Sequence, residues 1–250
     1  MPTRGLNTAD RVAHYDPLIN PTFQTGTWKS CPLLEWLHDQ SVGVMLNDQF
    51  TTYNAAATTG DWVLTQAAAG TGAISTAAPG VLELDCNSTT QGQGAQIQRA
   101  KSAFVPAAGK DIWFETKIKI VDTFDKVQFF AGLAEIDTTI IGSGAISTAN
   151  HIGWLGAASN AGVLSFASAK ASAATTKTGT TLAEDTYVKL GFRVNGVTSV
   201  DQYVNDVLIN STVLTANIPI VALYPSFVCQ TDGTNDPIMH IAGYRVFQLR

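Results

Sequence analysis

Charge is scarce in this chain. Only 14% of its 250 residues are Asp, Glu, Lys or Arg, against about 25% in an ordinary soluble domain, so Ala, Ser, Thr, Gly and Asn must cover much of the surface. Such a covering suits dense turns and packed interfaces better than a self-repelling monomer, and it points to assembly. Long hydrophobic runs are missing too. No stretch is long enough to span a bilayer, and the segment from Met1 to Asp10 lacks the apolar core of a secretory signal. No membrane partner is expected, and the cytoplasm is the expected place of synthesis. Cysteine is nearly absent: Cys31, Cys86 and Cys229 are odd in number and far apart, which fits neither a disulfide framework nor a zinc spacing. Buried free thiols are the expectation. Basic residues are few and scattered (Arg4, Arg11, Arg99, Lys101, Lys117, Lys119, Lys126), and the net charge is -5. No stripe forms that could neutralise phosphates, so nucleic acid is excluded as a direct partner.

What is present is β-pattern. Residues 1–45 stand apart, with Pro2, Pro17, Pro21 and Pro32 and no strand alternation. They read as an extended arm with one short helix from Pro32 to His38, for which Ser30 could serve as cap. From Phe50 onward, short strands alternate with Gly, Asn, Asp and Pro turns, the signature of a sandwich or barrel. Strands are expected near 49–54, 60–66, 80–86, 94–99, 111–121, 127–136, 151–156, 162–168, 186–195, 200–205, 207–212, 222–230 and 238–249. In 111–121, Ile112, Phe114, Thr116, Ile118 and Ile120 share one face while Glu115, Lys117 and Lys119 share the other. Val188, Leu190, Phe192 and Val194 repeat the pattern. Asn205-Asp206 tolerates positive φ and predicts a tight two-residue hairpin. The stretch 137–182 is rich in Ala, Ser, Thr and Gly and reads as long loops or a flat small-residue surface with weak strands. The division that follows is an arm over 1–45 and a β-sandwich over 46–250.

Three stretches carry a resemblance. They are Ile112-Trp-Phe-Glu-Thr-Lys-Ile-Lys-Ile120 followed by Phe129-Phe-Ala-Gly-Leu-Ala-Glu135, then Tyr187-Val-Lys-Leu-Gly-Phe-Arg-Val194 leading to Tyr203-Val-Asn-Asp206, and the terminal Tyr244-Arg-Val-Phe-Gln-Leu-Arg250. Over residues 111–250 the chain resembles the concanavalin-A-like lectin/glucanase superfamily, particularly its sandwich proteins found as tailed-phage virion components. The resemblance implies an all-β fold, an antiparallel jelly-roll sandwich, here with an extended N-terminal arm. It also implies a virion role: a capsid decoration or cement protein, bound to the major capsid protein on the capsid surface and assembled in the host cytoplasm. The expected assembly is a homo-oligomer, with a trimer favoured over a dimer. The arm either packs on its own sandwich or, on that reading, makes the capsid or intersubunit contact through Arg4, Leu6, Arg11, Tyr15, Phe23, Trp28, Leu33 and Trp36. The alternative is a carbohydrate-binding or host-recognition module using a concave face.

The sharpest catalytic candidate is Glu135-Ile-Asp137, since glucanases of the superfamily carry a Glu, an Asp two residues on and a second Glu. Retaining hydrolysis needs two carboxyls about 5–5.5 Å apart. Thr138, Thr139 and Ile140 stand where the second Glu belongs, so no enzyme and no catalytic residue is expected, and Glu135 and Asp137 read as a polar strand end. His14, His38, His151 and His240 show no metal spacing. The loop Asp232-Gly-Thr-Asn-Asp236 fits a turn better than a calcium loop. No cofactor or metal is expected. Trp62, Trp113 and Trp154 could stack on a sugar ring or serve the core.

Overall fold

Alternation becomes architecture in the computed structural model, which describes residues 26–55, 60–121, 127–142, 145–156, 162–213 and 217–250. Ile112, Phe114, Ile118 and Ile120 enter one core with Val188, Leu190, Phe192 and Val194. Phe114 stacks on Phe192 with ring centroids 4.8 Å apart, as their paired register requires. Each such fully buried side chain contributes about 1.5–3 kcal/mol relative to exposure.

The strands, in chain order, are β1 (Gly43–Asp48), β2 (Val63–Ala67), β3 (Thr71–Ile74), β4 (Leu82–Asp85), β5 (Gly94–Gln98), β6 (Ile112–Val121), β7 (Val127–Ala134), β8 (Ile141–Gly142) and β9 (Ala145–Ile146). They continue with β10 (His151–Gly156), β11 (Val163–Lys170), β12 (Ala173–Thr181), β13 (Val188–Asn195), β14 (Ser199–Val204), β15 (Val207–Val213), β16 (Tyr224–Thr231) and β17 (Ile238–Leu249). Sheet A runs β15-β14-β13-β6-β17-β4-β3, with β1 also paired to β17; sheet B runs β12-β11-β10-β7-β16-β5-β2; β8 and β9 form a separate hairpin. All pairings are antiparallel. The two sheets enclose one core between their inner faces, the expected jelly-roll sandwich. One end of it is aromatic: Trp62 meets Phe50, Phe227 and Tyr244 at centroid distances of 5.6, 6.2 and 5.5 Å.

The hairpin at Asn205-Asp206 forms as expected, with φ of 49° and 64°, the twist that joins β14 to β15 without splaying them. Lys189 pairs with Asp206 at 2.6 Å across its base. Elsewhere the pattern misled. The strand expected at 49–54 lies earlier, as β1, because Asp48 Oδ1 accepts the Phe50 N–H and Phe50 turns to a φ of 48°. Strand β1 therefore crosses the line drawn between residues 45 and 46. Within 137–182, of the two alternatives expected, the flat small-residue surface is the one found over Ala173–Thr181, as β12, a nine-residue edge strand. Its Ala and Thr residues show no apolar alternation because neither face enters the core; pairing to β11 sets its place. Helix α1 (Leu33–His38) forms where expected, but Ser30 does not cap it: Pro32 holds the cap position and no side chain bonds there.

Candidate functional site

On β5, Ala95 and Ile97 enter the core, which leaves Gln96 and Gln98 on the outer face of sheet B. The same alternation puts Phe130 and Ala134 of β7 and Val228 of β16 on that face, where they form a second apolar cluster with Ile140, Ile141 and Ile146. Residues 136–142 and 145–147 thus fold across the outer face of the sheet. Gly132 and Gly153 make this possible. A Cβ on Gly153 would stand 2.8 Å from the Phe130 ring, so the missing side chain is what lets Phe130 lie flat.

Two glutamines hold the covering segment in place. Gln98 donates from Nε2 to the Glu135 carbonyl and the Ser226 hydroxyl, both at 2.9 Å, and accepts the Asp137 N–H at 3.0 Å. Gln96 donates to the Asp137 carbonyl and accepts the Ile140 N–H at 2.9 Å. Side-chain amides, with a donor and an acceptor each, here replace a neighbouring strand.

Glu135 serves the next turn of the same segment. Its Oε1 accepts from the Thr148 hydroxyl at 3.0 Å and the Asn150 N–H at 2.9 Å, and its Oε2 from Asn150 Nδ2 at 2.9 Å. Desolvation raises its pKa, but these bonds together outweigh it and hold the carboxyl below its ordinary value. Glu135 is therefore an ionised carboxylate with both oxygens engaged. Asp137 Oδ1 accepts the Thr139 N–H at 2.8 Å and the Thr139 hydroxyl at 3.1 Å, closing a local turn. His151 is buried beside them, its Nδ1 3.0 Å from the Thr148 carbonyl and its ring edge-on to Phe130. Burial lowers its pKa, opposed by the Thr148 carbonyl and the Glu135 charge.

Between the covering segment and the β2 edge of sheet B opens a cleft of about 370 Å³, lined by Thr65, Gln66, Ala67, Gly92, Gly94, Ala95, Gln96, Thr138, Thr139, Ile141 and Gln230. None of these side chains is charged. Threonine hydroxyls and glutamine amides share the wall with Ala67, Ala95 and Ile141, and Gly92 and Gly94 complete it.

The sequence candidates fall elsewhere. Trp62, Trp113 and Trp154 are at most 1% exposed, so none offers a ring for stacking. Asp232 accepts from Gln91 and Gln128, and Asn235 and Asp236 accept from Thr231 and the Ser88 N–H; the loop is a bonded turn. Of the arm residues, Arg4, Leu6, Arg11, Tyr15 and Phe23 lie outside the described residues. Trp28, Leu33 and Trp36 pack on the outer face of the chain's own sheet A, against Trp113 and Phe247. Trp28 donates from Nε1 to Glu115 at 2.8 Å, and the Arg245 guanidinium, itself paired with Glu115, lies 4.9 Å over its ring. The cleft residues escaped the sequence reading, although the alternation Ala95-Gln96-Ile97-Gln98 signals two amides on an outward face.

No protein-family model matches the chain, and no curated protein matches it. Solved structures do. Peanut lectin, solved with a nine-residue peptide, superposes with a TM-score of 0.57 at 12% identity, over 83% of this chain and 98% of the lectin. The laminarinase from Rhodothermus marinus gives 0.58 at 10% identity, over 83% and 99%. A LamA variant from Z. galactanivorans, in complex with laminaritriose and laminaritetraose, gives 0.57 at 14% identity, over 83% and 99%. The fold is the concanavalin-A-like jelly roll. Identity this low carries the fold alone, and no capsid or virion role comes with it. One expectation is corrected: the chain was read as no enzyme because a second Glu is missing, yet laminarinases and a glycosidic hydrolase share its fold. This is a glycosidase fold, and the missing Glu no longer excludes that class.

Proposed function

We propose that this protein binds a neutral carbohydrate chain in the cleft beside β2. The observation that carries the proposal is the wall of that cleft: hydroxyl and amide side chains (Thr65, Gln66, Thr138, Thr139, Gln230) with no charged group among the lining residues. Sugar hydroxyls both donate and accept, and so do these groups. An uncharged wall matches an uncharged glycan, whereas uronates or sulfated sugars call for Arg or Lys. The volume of about 370 Å³ falls within the range of about 300–1,000 Å³ usual for small-ligand sites. The fold supports the reading, since a lectin and a laminarinase variant holding laminaritriose and laminaritetraose share it.

A glycan array carrying neutral and anionic oligosaccharides tests this. Retention of neutral glucans, lost when Thr65→Trp fills the cleft, is the expected result. Retention only of anionic glycans would overturn it. Product chromatography on the same mixtures extends the test to cleavage: new reducing ends that disappear with Thr65→Trp would add hydrolysis to binding.

A further inference from the structure

Cys86 follows β4 in sheet A and Cys229 lies in β16 of sheet B, yet their Sγ atoms meet at 3.6 Å inside the core, across a sequence separation of 143 residues. Both residues are fully buried. Cys31, the third cysteine, is half-buried on the far side of sheet A among Trp28, Leu33 and Trp36. The contact is thus specific: the two thiols that meet are the two that join the sheets. A disulfide needs the sulfurs at about 2.05 Å, so bonding requires them to approach further from the 3.6 Å contact.

We propose that Cys86 and Cys229 form a modification site, closing into an inter-sheet disulfide when the chain folds in the presence of a small-molecule disulfide such as glutathione disulfide. One cysteine thiolate attacks a sulfur of glutathione disulfide, whose S–S bond breaks and releases one glutathione thiolate. The other cysteine thiolate then attacks the protein-side sulfur of the mixed disulfide and expels the second glutathione. Two protein thiols lose two electrons and two protons; one glutathione disulfide becomes two glutathiones. The attack belongs to the folding chain, before β16 seats between β5 and β7. In the closed molecule the hydrogen bond between the two thiols and then burial raise the Cys229 pKa well above its ordinary value, so little thiolate forms. The bond would close a long loop, where constraint of the unfolded chain is greatest.

The full chain is refolded from denaturant in a glutathione redox buffer or in excess reductant, then alkylated under denaturing conditions and mapped by mass spectrometry without reduction. The expected result is a linked peptide pair containing Cys86 and Cys229, an alkylated Cys31, and an unfolding midpoint raised by roughly 5–10 °C over the reduced form. Cys31→Ala is expected to leave both the link and the rise intact. The double variant Cys86→Ala, Cys229→Ala is expected to unfold at one midpoint in either buffer. Alkylation of all three cysteines after oxidative refolding, pairing through Cys31, or equal midpoints for the oxidised and reduced wild type would each overturn the proposal.

Discussion

Gln98 orders the site as a side-chain amide rather than as a carboxylate. Its amide holds the Glu135 carbonyl, the Asp137 N–H and the Ser226 hydroxyl at once, and it is only 4% exposed. Gln98→Ala should therefore leave buried groups unpaired and cost about 1–3 kcal/mol, read by urea unfolding, with faster hydrogen exchange in residues 137–142. Gly153→Ala should cost about 1–3 kcal/mol by overpacking, since the added Cβ meets both the Phe130 ring and the Ala131 carbonyl at 2.8 Å. His151 supplies a pH test. Its folded pKa lies below the ordinary 6.5, so its neutral form favours folding, and that stability is present above 6.5 and lost as pH falls through that value toward the folded pKa. His240 acts in the same direction, its pKa lowered by burial and by Lys119 against Glu83 and Asp185. Glu135, held below its ordinary 4.5, adds a loss only at lower pH. The unfolding midpoint should fall between about pH 7.5 and about pH 5.5, and fall less in His151→Gln. An equal fall in that variant would show that His151 does not contribute.

At the scale of elements, the segment 26–42 is a strap across sheet A, and its fit depends on Gly191. A Cβ there would lie 2.1 Å from Thr27 Oγ1, and its three nearest neighbours are all Thr27 side-chain atoms. Gly191→Ala should lift the strap, shifting Trp28 emission to the red and opening residues 26–42 to protease, at a cost of about 1–3 kcal/mol. Adding Thr27→Ala should recover part of it. Unchanged emission in Gly191→Ala would contradict this seating. Elements were legible in the sequence where burial is one-sided. Strand β6 and strand β13 announce themselves because one face is apolar and the other polar or charged. Strands β3 and β12 do not, because their Gly, Ala and Thr residues carry no apolar alternation. The covering segment was invisible for a related reason: its hold on sheet B runs through Gln96 and Gln98, and long-range side-chain to backbone bonds leave no period in a sequence.

Across the whole molecule, fold and site part company. The sandwich and its aromatic core could be read from alternation and turn residues, and the structure bears them out. The cleft could not, since Thr65, Gln96, Thr138 and Gln230 come from four separate stretches of chain and only the antiparallel order β2-β5-β16 brings them together. Of the tryptophans that could serve a sugar platform or the core, Trp62 and Trp154 are core and Trp113 is buried on the outer face of sheet A with Trp28 and Phe247, since burying so large an aromatic surface is strongly favourable. The proposed glycan site is the cleft beside β2, whose lining side chains are all uncharged. The decisive measurement is isothermal titration of the wild type and of Thr65→Trp with laminari-oligosaccharides. Saturable binding to the wild type that is abolished in a Thr65→Trp protein of unchanged unfolding midpoint is the predicted result. Equal binding by both proteins, or none by the wild type up to about 10 mM ligand, would contradict a carbohydrate site in this cleft.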